Sequence, residues 1–192
     1  LDELASNRFI ALPDVERVLR FSIDRLATDD PEAAARFRAL AVFPASFDRA
    51  AAAAVWATDD RAARATLDTL LARSLILHDP TADRWHLHDL YRDLASAGLD
   101  DDARETVGER HSLHFAGVIR KANDHYLEGG DKVMAGLALF DLERASIEAG
   151  HAWALARAER SDEAARLAAD YPDAGAHILA LRLPTRMWIS WL

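Results

Sequence analysis

Between Leu75 and Leu90 the hydrophobic period of the chain changes from 3.6 to 2 and back, a switch that no purely helical fold accommodates. Leu75 and Leu77 alternate with Ile76 and His78, the turn-forming Asp79-Pro80-Thr81-Ala82-Asp83 follows, and Arg84 to His88 alternates again. This pattern predicts a β-hairpin. It runs into Trp85-His86-Leu87-His88-Asp89-Leu90, where the strand gives way to a helix whose first turn Asp89 is placed to cap. A histidine held at such a junction can reach a ligand.

Helical spacing dominates on both sides of the hairpin. Val15, Val18, Leu19, Ile23 and Leu26 predict one buried face of a helix over 14–27. Asp30 and Pro31 open a second helix, with Phe37, Leu40, Ala41 and Phe43 as its buried stripe and Pro44 as its stop. Asp48 is read as the cap of an alanine-rich helix to Trp56, and Thr58 as the cap of another over 59–73 that turns Ala63, Leu67, Leu70 and Leu71 inward. Helices, a hairpin and a further helix from Asp89 follow the order of a winged-helix domain over 15–97.

Ser96 to Asp102, with one glycine and three consecutive aspartates, predicts a linker centred on 98–102. Residues 103–192 read as helical throughout. A helix over 103–126 buries His114, Phe115, Val118 and Ile119; Gly129-Gly130 breaks the chain; a pair of helices to 158 carries Leu137, Phe140, Ile147, Trp153 and Leu155. Ser161-Asp162-Glu163 starts another helix, Pro172 separates it from the next, and Pro184 opens a last one. Short antiparallel helices with aromatic anchors suggest the first turns of an α-solenoid of tetratricopeptide type, although three clear copies of a repeat are not present. The expected fold class is therefore mainly α: a winged helix with a small β-hairpin, then a solenoid-like segment.

Composition excludes several functions. A chain of 192 residues, 51% of them apolar, can bury one ordinary core or two small ones. Its apolar runs fall well short of the roughly 18 to 20 residues that cross a bilayer, and no basic-then-apolar leader opens it. Without cysteine it forms neither a disulfide nor a thiolate metal site, which makes the cytoplasm the expected compartment. The net charge of −9 argues against nucleic acid or anionic lipid as an obligatory partner. Leu1 is not an initiator methionine, and the chain stops at the apolar Met187-Trp188-Ile189-Ser190-Trp191-Leu192, so a piece of a longer polypeptide is expected.

Ser22-Ile23-Asp24-Arg25-Leu26, Phe37 to Pro44, Phe47 to Trp56, Leu67 to Leu77 and His86-Leu87-His88-Asp89-Leu90, taken in this order, resemble the winged-helix region of the NB-ARC class of STAND signal-transducing nucleotide-binding proteins. Leu87-His88-Asp89 is similar to the methionine-histidine-aspartate motif of that class, with Leu87 in the place of methionine. Leu142-Glu143-Arg144 to Ala152-Trp153-Ala154-Leu155 is similar to the helical segment that precedes tetratricopeptide repeats in bacterial members.

The resemblance implies a nucleotide switch. It makes His88 the contact to the β-phosphate of ADP in the intact protein, Asp89 the cap that orients the corner, and Leu87 a core residue. It makes 1–14 a linker from an upstream nucleotide-binding core, which would be the chief partner of this chain. ADP or ATP with magnesium are the implied cofactors of the parent, and none is expected for this piece alone. Further implied partners are a protein or peptide ligand of the helical segment and a second copy of the chain on activation. No G-x-x-x-x-G-K-[ST] loop or Walker B strand is present, so this piece is not expected to hydrolyse nucleotide, whereas the parent would be an ATPase switch.

The same residues allow other readings. His88 could simply cap the junction, and Asp89 is read as a cap rather than an acid or base. His78, His86 and His88 could lie close enough to hold zinc, but no other ligand spacing supports a metal site, and no catalytic nucleophile arrangement is present. Arg61, Arg64 and Arg73 could face DNA, yet Asp59, Asp60 and Asp68 accompany them, which makes a DNA-binding regulator the weakest alternative. A protein-protein scaffold without nucleotide is the stronger one. Trp153, Trp188 and Trp191 suit either a core between helices or a peptide groove.

Overall fold

The computed structural model describes residues 13–191, with side chains from residue 16 onward. Residues 1–12, most of the expected linker, lie outside the described residues, and Pro13 already belongs to the first helix. The described chain is mainly helical, with one antiparallel two-stranded hairpin. It divides into two compact units. The first runs through Val42 and resumes over Asp48–Ala103, and the second joins Phe43–Phe47 to Arg104–Leu192.

The first unit opens with α1 (Pro13–Asp29) and α2 (Pro31–Ala39), and a 3₁₀ turn over Leu40–Val42 prolongs α2. Asp30 accepts from the Ala33 amide at 2.9 Å, while Pro31 takes a position whose amide would have no helical acceptor. α3 (Arg49–Trp56) is capped by Asp48, which accepts from Ala51 at 2.7 Å. α4 (Asp60–Ala72) starts one residue later than expected, because Asp59 rather than Thr58 accepts from the Ala62 amide at 2.7 Å. Two outward residues correct the predicted faces: Val18 is 62% exposed and Leu71 37%. Ile23, Leu26, Phe37, Leu40, Leu67 and Leu70 are buried as expected, and Val55 joins them in the core. Trp56 closes it, donating its indole N–H to the Arg36 carbonyl at 2.8 Å.

The hairpin is shorter than its alternating sequence. β1 (Leu77–Asp79) pairs with β2 (Arg84–His86) in the register Leu77 with His86, His78 with Trp85 and Asp79 with Arg84. Leu75 and Ile76 precede the ladder and are buried in the core. The Asp79 carboxylate accepts from Thr81 and Ala82 across the turn, and Asp83 takes the left-handed conformation (φ 51°) that closes it. α5 (Asp89–Ala97) completes the unit, with Tyr91 edge-on to Phe37 at 5.9 Å.

The second unit contains α6 (Asp101–Glu128) from Arg104 onward, α7 (Lys132–Leu155), α8 (Asp162–Ala174), α9 (Ala176–Arg182) and α10 (Thr185–Ile189). Two expectations are corrected. Asp101 and Asp102 form the first turn of α6, leaving only 98–100 as connector, and the stretch read as a pair of helices to 158 is the single helix α7. The aspartates suit the positive end of a helix, which outweighs their linker-like composition. Pro172 sits in the last turn of α8 rather than between helices. On α6, Phe115 and Ile119 are buried as expected, but His111 and Ser112 are buried rather than His114 and Val118. Leu155 is 53% exposed at the end of α7.

Close helix contacts in this unit depend on residues without a side chain. A Cβ on Gly108 would overlap the Trp153 indole, and one on Gly136 would overlap the Ala122 carbonyl of α6. Gly117, also on α6, has nothing within 4 Å of such a Cβ. Gly108→Ala should therefore lower the stability of the chain by about 1 to 3 kcal/mol through overpacking. Gly117→Ala should raise it by about 0.5 to 1 kcal/mol through helix propensity. Urea unfolding of the two variants checks both signs.

Candidate functional site

The strand-to-helix corner at Leu87-His88-Asp89 is built by alternation. Trp85 and Leu87 are buried at 2% and 3% exposure, His86 is half-buried, and His88 is exposed. His88 itself occupies the N-cap of α5: its backbone is extended (φ −63°, ψ 143°) and its Nδ1 accepts from the Leu90 amide at 3.3 Å. The capping role expected of Asp89 thus falls to His88. Asp89 is the first helical residue, where its negative charge suits the amino end of the helix and its Oδ1 accepts from Arg92 Nη1 at 3.0 Å.

Arg92 is the residue that the sequence reading missed. It lies one turn beyond His88, and besides Asp89 it reaches the Leu87 carbonyl with Nη2 at 3.4 Å. Its Nε is buried and has no hydrogen-bond acceptor among the described residues. The Arg92 amide donates to the His88 carbonyl at 3.0 Å, the first full turn of the helix. Arginine at the fourth residue of a cap, able to reach back to the carbonyl before it, was the available signal.

The arrangement fixes the chemistry of the imidazole. In a neutral ring whose Nδ1 accepts a hydrogen bond, the proton sits on Nε2, so the exposed corner presents a single N–H donor beside the positive end of a nine-residue helix. That combination fits an anionic oxygen, such as one of a phosphate. Asp89 and Asp93 add negative charge to the same first turns, and Asp89 is offset by its pairing with Arg92.

The three histidines do not converge. His78 shares a hairpin face with Trp85, its ring stacked on the indole at 4.5 Å and its Nε2 3.1 Å from Asp83 Oδ1. His86 is paired opposite Leu77 and so lies on the other face. No group of three or more metal-ligating side chains occurs among the described residues. On the possible DNA-facing helix, Arg64 pairs with Asp68 and Arg73 with Asp29, both at 3.1 Å.

The second unit holds a different histidine cluster. His111 is buried against Phe43 and Phe115, with ring centroids 5.4 and 4.7 Å away, and its Nε2 has no partner among the described residues. Burial, with the neighbouring His114 adding to it, pushes its pKa down to about 3. His151 is lowered for the same reason and stacks on Trp191 at 4.0 Å. Trp191 is therefore a core residue, whereas Trp153 and Trp188 are half-buried.

No protein family model, no curated protein and no solved structure matches the chain. No described helix is long and apolar enough to cross a membrane.

The buried neutral histidines make stability depend on pH. The unfolded chain takes up a proton at His111 near the ordinary value of 6.5, whereas the folded chain does so only near 3. The contribution is thus complete above the ordinary value and is lost as the pH falls toward the folded one. The urea midpoint should fall between about pH 7 and pH 5, above the range in which most carboxylates titrate. His111→Leu should flatten that slope, and an unchanged slope would remove His111 as its cause.

Proposed function

We propose that the chain is the winged-helix and helical sensor part of a nucleotide switch of the NB-ARC, STAND type. In this reading the first unit is the winged helix and the second is the tetratricopeptide-like segment that meets a protein or peptide ligand. The carrying observation is His88 at the N-cap of α5. Its Nδ1 is committed to the Leu90 amide, and its Nε2–H is presented at an exposed corner beside a helix amino end.

In the longer polypeptide, His88 would donate to the β-phosphate of ADP held by an upstream nucleotide-binding core, which keeps the closed state. ATP with magnesium would supply the energy of exchange, release and oligomerisation. Arg92 acts as a positioning residue. By bonding the Leu87 carbonyl and the Asp89 carboxylate it holds the corner that aims His88. The helical unit has its own support for a ligand-meeting role: Leu113, Met134 and Leu142 are 65%, 68% and 55% exposed on α6 and α7. The chain itself is read as regulatory rather than hydrolytic, and the cytoplasm as its compartment.

A hydrogen bond to a charged group contributes roughly 1.5 to 3 kcal/mol. Its loss would shift a poised equilibrium about 10- to 100-fold. Full-length protein purified with and without His88→Ala, denatured and chromatographed for nucleotide, should show ADP in the wild type and little in the variant. Equal ADP in both would refute the role of His88, and no nucleotide in either would favour a scaffold.

A further inference from the structure

Between α6 and α8 lies an open groove of about 360 Å³, formed entirely within the second unit. Leu113, Leu167 and the half-buried Trp153 give it an apolar lining. Its charged lining is Glu105, Glu109, Glu163, Asp170 and Arg166; Glu105 is paired with Arg157 and Asp170 with Arg120, which leaves Glu109 and Glu163 as the unmatched acids. The two helices are joined beneath it by the Tyr171 hydroxyl, which donates to the Ser112 carbonyl at 2.6 Å. A looser contact of 3.8 Å between Arg120 and Asp170 links them at one end.

The wall of this groove already holds a cation of the protein's own. The Arg157 guanidinium stacks over the Trp153 ring at 4.5 Å and its Nε lies 2.7 and 2.6 Å from the two Glu105 oxygens. Aromatic face and carboxylate together form a guanidinium seat. Among the described residues no ion pair joins Glu109 or Glu163 to a cation, although both line the same groove.

We propose that this groove docks a basic, amphipathic peptide segment of a partner protein. An apolar side chain would lie on Leu113 and Trp153, and flanking arginines or lysines would meet Glu109 and Glu163. A small inorganic cation leaves the apolar lining unused, and an acidic or purely apolar segment meets the wrong charge. The volume is at the low end of the roughly 300 to 1,000 Å³ of ligand pockets, which suits side chains of one segment rather than a folded surface. The proposal rests on the ligand-meeting half of the function above and is independent of His88, so the nucleotide assay and the peptide assay fail separately.

The test uses fluorescence anisotropy with the 192-residue chain and two labelled twelve-residue peptides of one pattern, one of leucine and arginine and one of leucine and glutamate. The arginine peptide should bind and the glutamate peptide should not, with affinity falling as salt is added. Glu109→Gln with Glu163→Gln should weaken binding about five-fold. Leu113→Ala, which removes exposed apolar surface, should weaken it about three-fold or more. Asp124→Asn with Glu159→Gln makes the same change in net charge outside the groove and should have no effect. Equal loss in that control would assign the binding to the overall charge of −9 and overturn the proposal. So would the absence of binding, or competition by spermine that Leu113→Ala leaves unaltered, which would make the groove a simple polyamine site.

Discussion

The alternation that runs through β2 and on to Leu87 is the constraint on which the first unit depends. Successive side chains of an extended chain face opposite ways, so burying Trp85 and Leu87 in the core leaves His88 at the surface. Shifting the strand by one residue would bury His88 and expose both apolar side chains. The register with β1 prevents this, because His78 stacks on Trp85 and Asp79 closes the turn five residues before Arg84. Local geometry then commits the imidazole further. The N-cap bond at Nδ1 leaves only Nε2 for anything outside the chain, and Arg92 ties the corner from below.

In the second unit the comparable constraint is Tyr171. Its buried hydroxyl donates to Ser112 of α6 and occupies the space that a side chain on Gly150 of α7 would need. The Ser112 hydroxyl in turn donates to the Gly150 carbonyl at 2.8 Å. Three helices thus meet around one ring, and burial raises the Tyr171 pKa, so the hydroxyl remains a donor. The acidic groove between α6 and α8 is lined by Leu113 and Asp170, the chain neighbours of the two bonded residues.

Much of the fold was legible because it follows local chemistry. The caps at Asp30 and Asp48, the hairpin turn and the opening of α8 at Ser161 are each stated by a few adjacent residues. What failed was of two kinds. Where two capping residues adjoin, as with Thr58 and Asp59 or His88 and Asp89, sequence does not say which carbonyl starts the ladder, and the structure chooses Asp59 and His88. Where the outcome depends on packing between distant segments, local pattern is silent. Phe43–Phe47 belongs with the second unit because Phe43 stacks on Phe47 at 4.3 Å and meets His111 and Phe115, partners more than 60 residues ahead. The single run of α7 also depends on Gly150 and Gly136 serving as contact points rather than breaks.

The geometry of the candidate corner was legible in part, although the cap is His88 rather than Asp89. Leu87-His88-Asp89 stood out in sequence because a change of period marks it, whereas the arginines carried no such mark. Nearly all the cations of this chain are arginine, yet their uses differ: Arg92 bonds a backbone carbonyl, Arg157 lies on an indole, and Arg64 is matched by an acid one turn away. Planar guanidinium suits each of these contacts in a way that ammonium does not. A chain with 32 acids and 23 Lys and Arg residues cannot match every carboxylate to a cation of its own, and those left over are distributed by the packing. At the corner, Asp89 is matched by Arg92 while His88 keeps its outward donor. On α6 and α8 the excess remains beside exposed apolar surface, where a cationic segment has the most to gain.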